Sequence, residues 1–239
     1  MLIFIVPYRD REQHLKFFDK HMKKEILEDM KEGEEYEIMY IHQEDKRPFN
    51  RGALKNIGFK IVKEKYPEEY KRITLVFNDV DTMPFTKDFL KYETEKGKIK
   101  HFYGVRTTLG GIVSIIGEDF EKINGYPNIW SWGLEDLGLQ KRAERMGIQI
   151  DRNNYYAMLD KNILHFMHSL ERDISNTEVG KYKEDMHTGI NGIKNIKYEE
   201  EGSMKNIKNY TTEREPPKRM EIHDVRKKSI GHRIGLNFN

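Results

Sequence analysis

The chain has 239 residues, 37% hydrophobic and 34% charged, with a net charge of +2 and no cysteine. That length suits one substantial α/β domain with a small appendage, and the near-neutral balance argues against general nucleic-acid binding. No disulfide can hold the fold and no run of residues is apolar enough for a signal peptide or membrane span, so a soluble, cytoplasmic protein is expected.

Leu2–Val6 reads as a buried strand ending in Pro7-Tyr8-Arg9-Asp10-Arg11. A helix should follow, with Asp10 and Gln13 as a capping box and Leu15, Phe18, Met22, Ile26 and Met30 on one apolar face. Arg9 and Arg11 then stand at a strand end beside a helix start, a place suited to phosphate, although surface arginines are the plainer reading. Tyr36–Ile41 is a second strand. After it, Phe49 and Arg51 open a helix with the face Leu54, Ile57 and Ile61. An aromatic ring and a guanidinium there could stack on and pair with a nucleotide, or Phe49 could plug the core.

Ile73–Phe77 is a third buried strand, closed abruptly by Asn78-Asp79-Val80-Asp81. The order β-α-β-α-β implies a parallel sheet covered by helices, in which ligands collect at the carboxyl ends of the strands. Residues two apart share a face, so Asp79 and Asp81 could converge on one hard cation; an Asx-rich turn is the alternative. Gly110 and Gly111 precede the apolar run Ile112–Ile116 and would let backbone approach a ligand, or form a bulge. A short helix over Glu118–Ile123 follows.

Both tryptophans, Trp130 and Trp132, lie just before Glu135 and Asp136 at the start of a helix running to about Met146. Aromatic faces stack on sugars and a helix-start carboxylate can act as a base, although both acids could simply complement the helix dipole. Ile163–Phe166 reads as a further strand within the stretch His165-Phe166-Met167-His168, whose two histidines make a plausible transition-metal pair beside carboxylates, an unrelated surface pair being the alternative. Ser169–Lys183 is polar and expected to be mobile. Past Pro216-Pro217 six Lys/Arg face two acids, which suggests a basic, flexible tail.

Six stretches, VPYRDREQHL, FNRGALKNIGF, FNDVDTMP, GGIVSIIGEDFEKINGYPNIWSWGLEDLGLQKR, HFMHSLERD and HTGINGIKNIKY, together resemble the β-1,4-galactosyltransferase family, in its order and over roughly residues 3–198. The resemblance implies a single-domain glycosyltransferase A fold with a mixed, mostly parallel sheet, and inverting transfer from a UDP-sugar with Mn²⁺. It places Pro7, Tyr8, Arg9, Arg11, Phe49 and Arg51 on the uridine-diphosphate segments, Asp79 on the donor, and Asp81 and His168 on the metal. Asp136 falls on the catalytic base, with Glu135 next to it, and Trp132 and Gly133 on the acceptor side. Gly110 and Gly111 would face the donor. Thr108, two residues before them, falls where a Tyr restricts donors to galactose and a smaller residue admits N-acetylgalactosamine.

The chain departs from the family pattern in three ways. WGWGGEDDD is replaced by Trp130-Ser131-Trp132-Gly133-Leu134-Glu135-Asp136-Leu137-Gly138, so Leu137 stands where a third acid contacts the acceptor. His165 takes the place of a Met metal ligand. The family's membrane anchor, stem and cysteines are missing, which suits a bacterial or viral source better than a secretory pathway. The expected organisation is a catalytic domain over 1–215 and a basic tail over 216–239. The expected activity is galactose or N-acetylgalactosamine transfer from UDP-galactose or UDP-N-acetylgalactosamine to a glycan or glycoconjugate acceptor, without nucleic acid or a membrane span. A metal-dependent nucleotide-sugar hydrolase or nucleotidyltransferase, and a non-catalytic carbohydrate-binding relative, are the rival readings.

Overall fold

The computed structural model describes residues 1–167, 171–182 and 187–224. Strand β1 (Leu2–Tyr8) is buried along its whole length and pairs in parallel with β2 (Tyr36–Gln43) and β3 (Thr74–Asn78). Helices α1 (Glu12–His21) and α2 (Arg51–Lys65) supply the crossovers between them. The chain continues through β4 (Thr82–Pro84), β5 (Lys98–Gly104), β6 (Ile112–Ile116), α3 (Gly117–Lys122), α4 (Glu135–Arg145), β7 (Gln149–Asp151), β8 (Tyr156–Ala157) and β9 (Ile163–His165). Then follow β10 (Glu171–Ile174), α5 (Asn176–Tyr182), β11 (Lys194–Glu201), β12 (Met204–Thr211) and β13 (Glu221–Asp224). The main sheet runs β11-β12-β2-β1-β3-β6-β5-β7, with β8 also on β5. It is mixed, because β6 lies antiparallel to both β3 and β5.

Alternation along β1 feeds two cores, one on each face of the sheet. Ile3 and Ile5 point toward α2, α3 and α4, while Leu2, Phe4, Val6 and Tyr8 point toward α1. Phe77 anchors the first core, with ring centroids 4.6 Å from Phe120 and 5.2 Å from Tyr126. Truncating such a fully buried ring to alanine costs about 3–5 kcal/mol. This packing holds the end of β3, where the acidic triplet begins. No helix among the described residues is long and apolar enough to cross a membrane.

Four local expectations change. The capping box is absent: Asp10 adopts φ 51°, and the N-cap is Arg11, with no side-chain cap bond. The first helix loses α geometry after His21 and passes into a π turn over Met22–Ile26, so Ile26 and Met30 are only partly buried. The hairpin β11–β12 was not anticipated, because the sequence of β11, KNIKYEEE, is mostly charged and mostly exposed. It joins the sheet only because β12 pairs in parallel with β2. Finally, the segments expected to be mobile or a loose tail contain paired structure. β10 and β13 form an antiparallel ladder with Arg172 opposite His223.

Candidate active site

The strand ends converge because of the sheet's polarity. β6 runs antiparallel to β3 with Asn78 opposite Ile112, so the start of β6 stands beside the end of β3. The Asp79 amide therefore donates to the Gly111 carbonyl at 3.2 Å. A cleft of about 220 Å³ opens at this edge. Pro7, Arg9, Arg11, Phe49 and Arg51 line it from the β1 and β2 side, and Asp79 and Asp81 from its floor. Thr108, Gly110, Gly111, Trp132, Glu135, Asp136 and His165 complete the expected set of lining residues. Two expected residues stand elsewhere. Tyr8 is buried on the α1 side of the sheet, its ring 5.2 Å from that of His42, because alternation turns it away from Pro7 and Arg9. Gly133 sits at φ 96° beside Trp132 but is not part of the lining.

The acidic triplet is shaped by its neighbours. The Asn78 side-chain amide donates to the carbonyls of Asp79 at 2.8 Å and Thr82 at 2.7 Å, folding the strand end back on itself. β4 then pairs with β9, setting Thr82 opposite His165, and the Asp81 carbonyl accepts from the Phe166 amide at 2.9 Å. This short ladder carries His165 to the same cleft as Asp81. The Tyr103 hydroxyl holds His165 Nδ1 at 2.8 Å, leaving Nε2 as the nitrogen available to a ligand. Arg11 reaches Asp81 at 2.5 Å, so it neutralises the carboxylate rather than standing free.

The two other arginines are partly committed. Arg9 donates to the carbonyls of Gln43, Asp45 and Arg47, tying down the loop after β2. Arg51 lies 3.9 Å from Glu135, and both guanidinium groups flank the Phe49 ring, at 5.5 and 5.4 Å from its centroid. Glu135 Oε2 is buried without a protein hydrogen-bond partner.

Asp136 sits in the first turn of α4, where backbone dipoles favour an anion. Its side chain is 28% exposed, at the cleft wall, and Lys55 Nζ lies 3.2 Å from Oδ1. Burial dominates and pushes its carboxyl up to about 7; Lys55 opposes that rise, while Glu135 and Asp79 add to it. A carboxylate poised near neutrality is what a general base requires. The glycine ledge fits against it: a Cβ on Gly110 would lie 2.3 Å from Asp136 Oδ2.

Several cleft residues escaped the sequence reading. Tyr103 comes from a strand that was not recognised, and Arg172 from β10; its guanidinium lies 5.8 Å from the Trp132 ring centroid. Lys55 supports the site from behind. A lysine inside the apolar pattern of α2 was the one available signal.

Comparison with known proteins accords with this geometry. Residues 1–94 match the model of the N-terminal region of glycosyl transferase group 7, and residues 92–169 that of the N-terminal domain of galactosyltransferase. Human β-1,4-galactosyltransferase 4 is 32% identical over 159 residues, covering 62% of this chain and 44% of that protein. Drosophila melanogaster β-1,4-galactosyltransferase 7 is 28% identical over 210 residues, covering 81% of this chain and 62% of that protein. The crystal structure of a mutant of the Drosophila enzyme with manganese, UDP-Gal and xylobiose superposes with a TM-score of 0.72 at 26% identity, covering 86% of this chain and 92% of that one. The chain belongs to the β-1,4-galactosyltransferase family. It spans about half of the length of the curated relatives named here.

Against the β-1,4-galactosyltransferase pattern, the departures acquire physical reasons. Leu134 replaces a glycine and adopts φ 70°, a strained conformation for a residue with a Cβ. Its side chain is buried against Ile129, Leu137 and Val179, which offsets that strain. Leu137, in place of the third acid, packs into the same cluster and is not among the cleft-lining residues. Asp81 and His165 fit the hard and borderline donors that Mn²⁺ accepts in this family. Among the described residues no three His, Asp or Glu form a metal cluster by themselves. His168, the remaining expected ligand, lies outside the described residues.

Proposed function

We propose that the protein transfers galactose or N-acetylgalactosamine from a UDP-sugar to a hydroxyl of a glycan or glycoconjugate acceptor, inverting the anomeric centre. The observation that carries this reading is the convergence in one cleft of Asp136, at the start of α4, with Asp79, Asp81 and Trp132. Asp136 accepts the acceptor's hydroxyl proton as that oxygen attacks the anomeric carbon, and the bond from that carbon to the diphosphate breaks on the opposite face. Asp81, His165 and His168 would hold Mn²⁺, which supplies charge stabilisation to the departing UDP. Arg51 and Phe49 border the nucleotide side, and Trp132 offers a ring face to a sugar.

Thr108 supports the wider donor range. Its hydroxyl donates to the Val105 carbonyl at 3.3 Å, so the small volume of threonine rather than its hydroxyl governs what fits. Leu109 and Ile112, the neighbours that could compete for that space, are buried in the cores and are not among the cleft-lining residues.

The test is UDP release from UDP-galactose and UDP-N-acetylgalactosamine, with Mn²⁺ or chelator, with and without a panel of glycan acceptors. Acceptor-dependent, chelator-sensitive release is expected, and Asp136→Asn should lower turnover on the order of 10²–10⁴-fold with donor binding kept. Sugar release indifferent to acceptor would identify a hydrolase, and glycan binding without turnover of either donor would identify a binding protein.

A further inference from the structure

Every residue of α2 from Gly52 to Phe59 is buried, and Lys55 is the single charged one among them. Its side chain is 3% exposed. A lone ammonium ion in such a place is costly unless an opposite charge meets it. Asp136 Oδ1 does so at 3.2 Å, and the face of Tyr126, its ring centroid 4.4 Å away, adds a cation–π contact. Lys55 itself is not among the cleft-lining residues and stands behind Asp136.

The arrangement divides the two oxygens of Asp136. Oδ1 is held from behind by Lys55, and Oδ2 lies over Gly110, which lines the cleft. The other charged or titratable groups around this carboxylate are Glu135 on its own helix, Asp79 after β3 and Tyr126 before α4. Arg51 acts at one remove, through Glu135. Two of these neighbours are acids, so among the groups around Asp136 the Lys55 cation alone favours the ionised form by direct contact.

We propose that Lys55 is a positioning residue that keeps the Asp136 carboxylate ionised and turned so that Oδ2 meets the acceptor hydroxyl. The proposal rests on the reading of Asp136 as general base. It assigns to a residue outside the cleft the task of setting the pH range in which that base works.

The test compares wild type, Lys55→Met, Lys55→Arg and the double variant Lys55→Met/Asp136→Asn, all in the full chain. One readout is kcat/KM for transfer from UDP-galactose as a function of pH. The other is a ¹³C carboxyl NMR titration of Asp136 in metal-free protein, assigned with Asp136→Asn. In Lys55→Met both midpoints should rise by about one pH unit or more, giving a roughly tenfold loss below neutrality that recovers in alkali. Lys55→Arg keeps the charge and should shift them less. A loss of rate that is equal at every pH, with an unmoved NMR midpoint, would mean that Lys55 only fills space and would overturn the proposal. If Lys55→Met does not fold, the double variant should, because it removes the unpaired acid as well; failure of both overturns the proposal. An NMR shift in a protein whose wild type transfers no sugar would refute the reaction while leaving the pairing intact.

Discussion

Gly110→Ala tests how tightly the cleft holds its base. The added Cβ would stand 2.3 Å from Asp136 Oδ2 and 2.9 Å from Cγ, whereas ordinary contact begins at 3.4 Å. Gly110 is not among the glycines with positive φ, so alanine brings no backbone strain and the effect is local. The carboxylate must therefore move by about 1 Å, and a displacement of that size can cost about 10²-fold in rate. It cannot simply swing aside, because Oδ1 is tied to Lys55. Crowding of this kind also destabilises by about 1–3 kcal/mol, equivalent to roughly 2–4 °C in Tm per kcal/mol for a chain of this size. The measurements are kcat with saturating UDP-galactose and Mn²⁺, UDP affinity by calorimetry, and Tm. A kcat close to wild type together with a lowered Tm would refute the reasoning, since the base would then tolerate displacement.

The pH dependence follows from the raised carboxyl of Asp136: the ionised form is the base, so kcat/KM should climb as pH rises through about 7. For stability the sign is opposite. The folded chain binds that proton more tightly than the unfolded one, so the contribution is complete in acid and fades as pH rises through about 7. A rate constant down to pH 5 would contradict the assignment. Thr108→Tyr should shift the kcat/KM ratio of the two donors toward galactose; strict galactose use by wild type and an unchanged ratio in the variant would mean that residue 108 does not read the donor. Deletion of 225–239 should leave transfer to a small soluble acceptor intact, whereas deletion of 216–239 removes β13 from the strand bearing Arg172 and should lower transfer. Equal behaviour of the two truncations would show that the β10–β13 pair does not support the cleft.

The sequence by itself determined the β-α-β-α-β opening, the buried strands β1, β2, β3 and β6, and the acidic strand end at Asp79 and Asp81, because each depends on local polarity and period. Arg9, Arg11, Asp79, Asp81, Gly110 and Gly111 could be named for the same reason, since they sit where an apolar run meets polar or glycine residues, whereas Thr108 was named only through the family resemblance. Period two also held the clue to Tyr8, whose side chain must face away from those of Pro7 and Arg9. Tertiary structure decided what no window of sequence contains. The hairpin of β11 and β12 reads as polar coil until β2 offers an edge, and Arg172 gains a place only through the β10–β13 ladder. Arg11 meets Asp81 and Lys55 meets Asp136 across wide sequence separations, each pair set by the packing of separate elements on one sheet. Charge is visible in a sequence, but which charges face each other, and how much water lies between them, is decided only when the chain has closed around them.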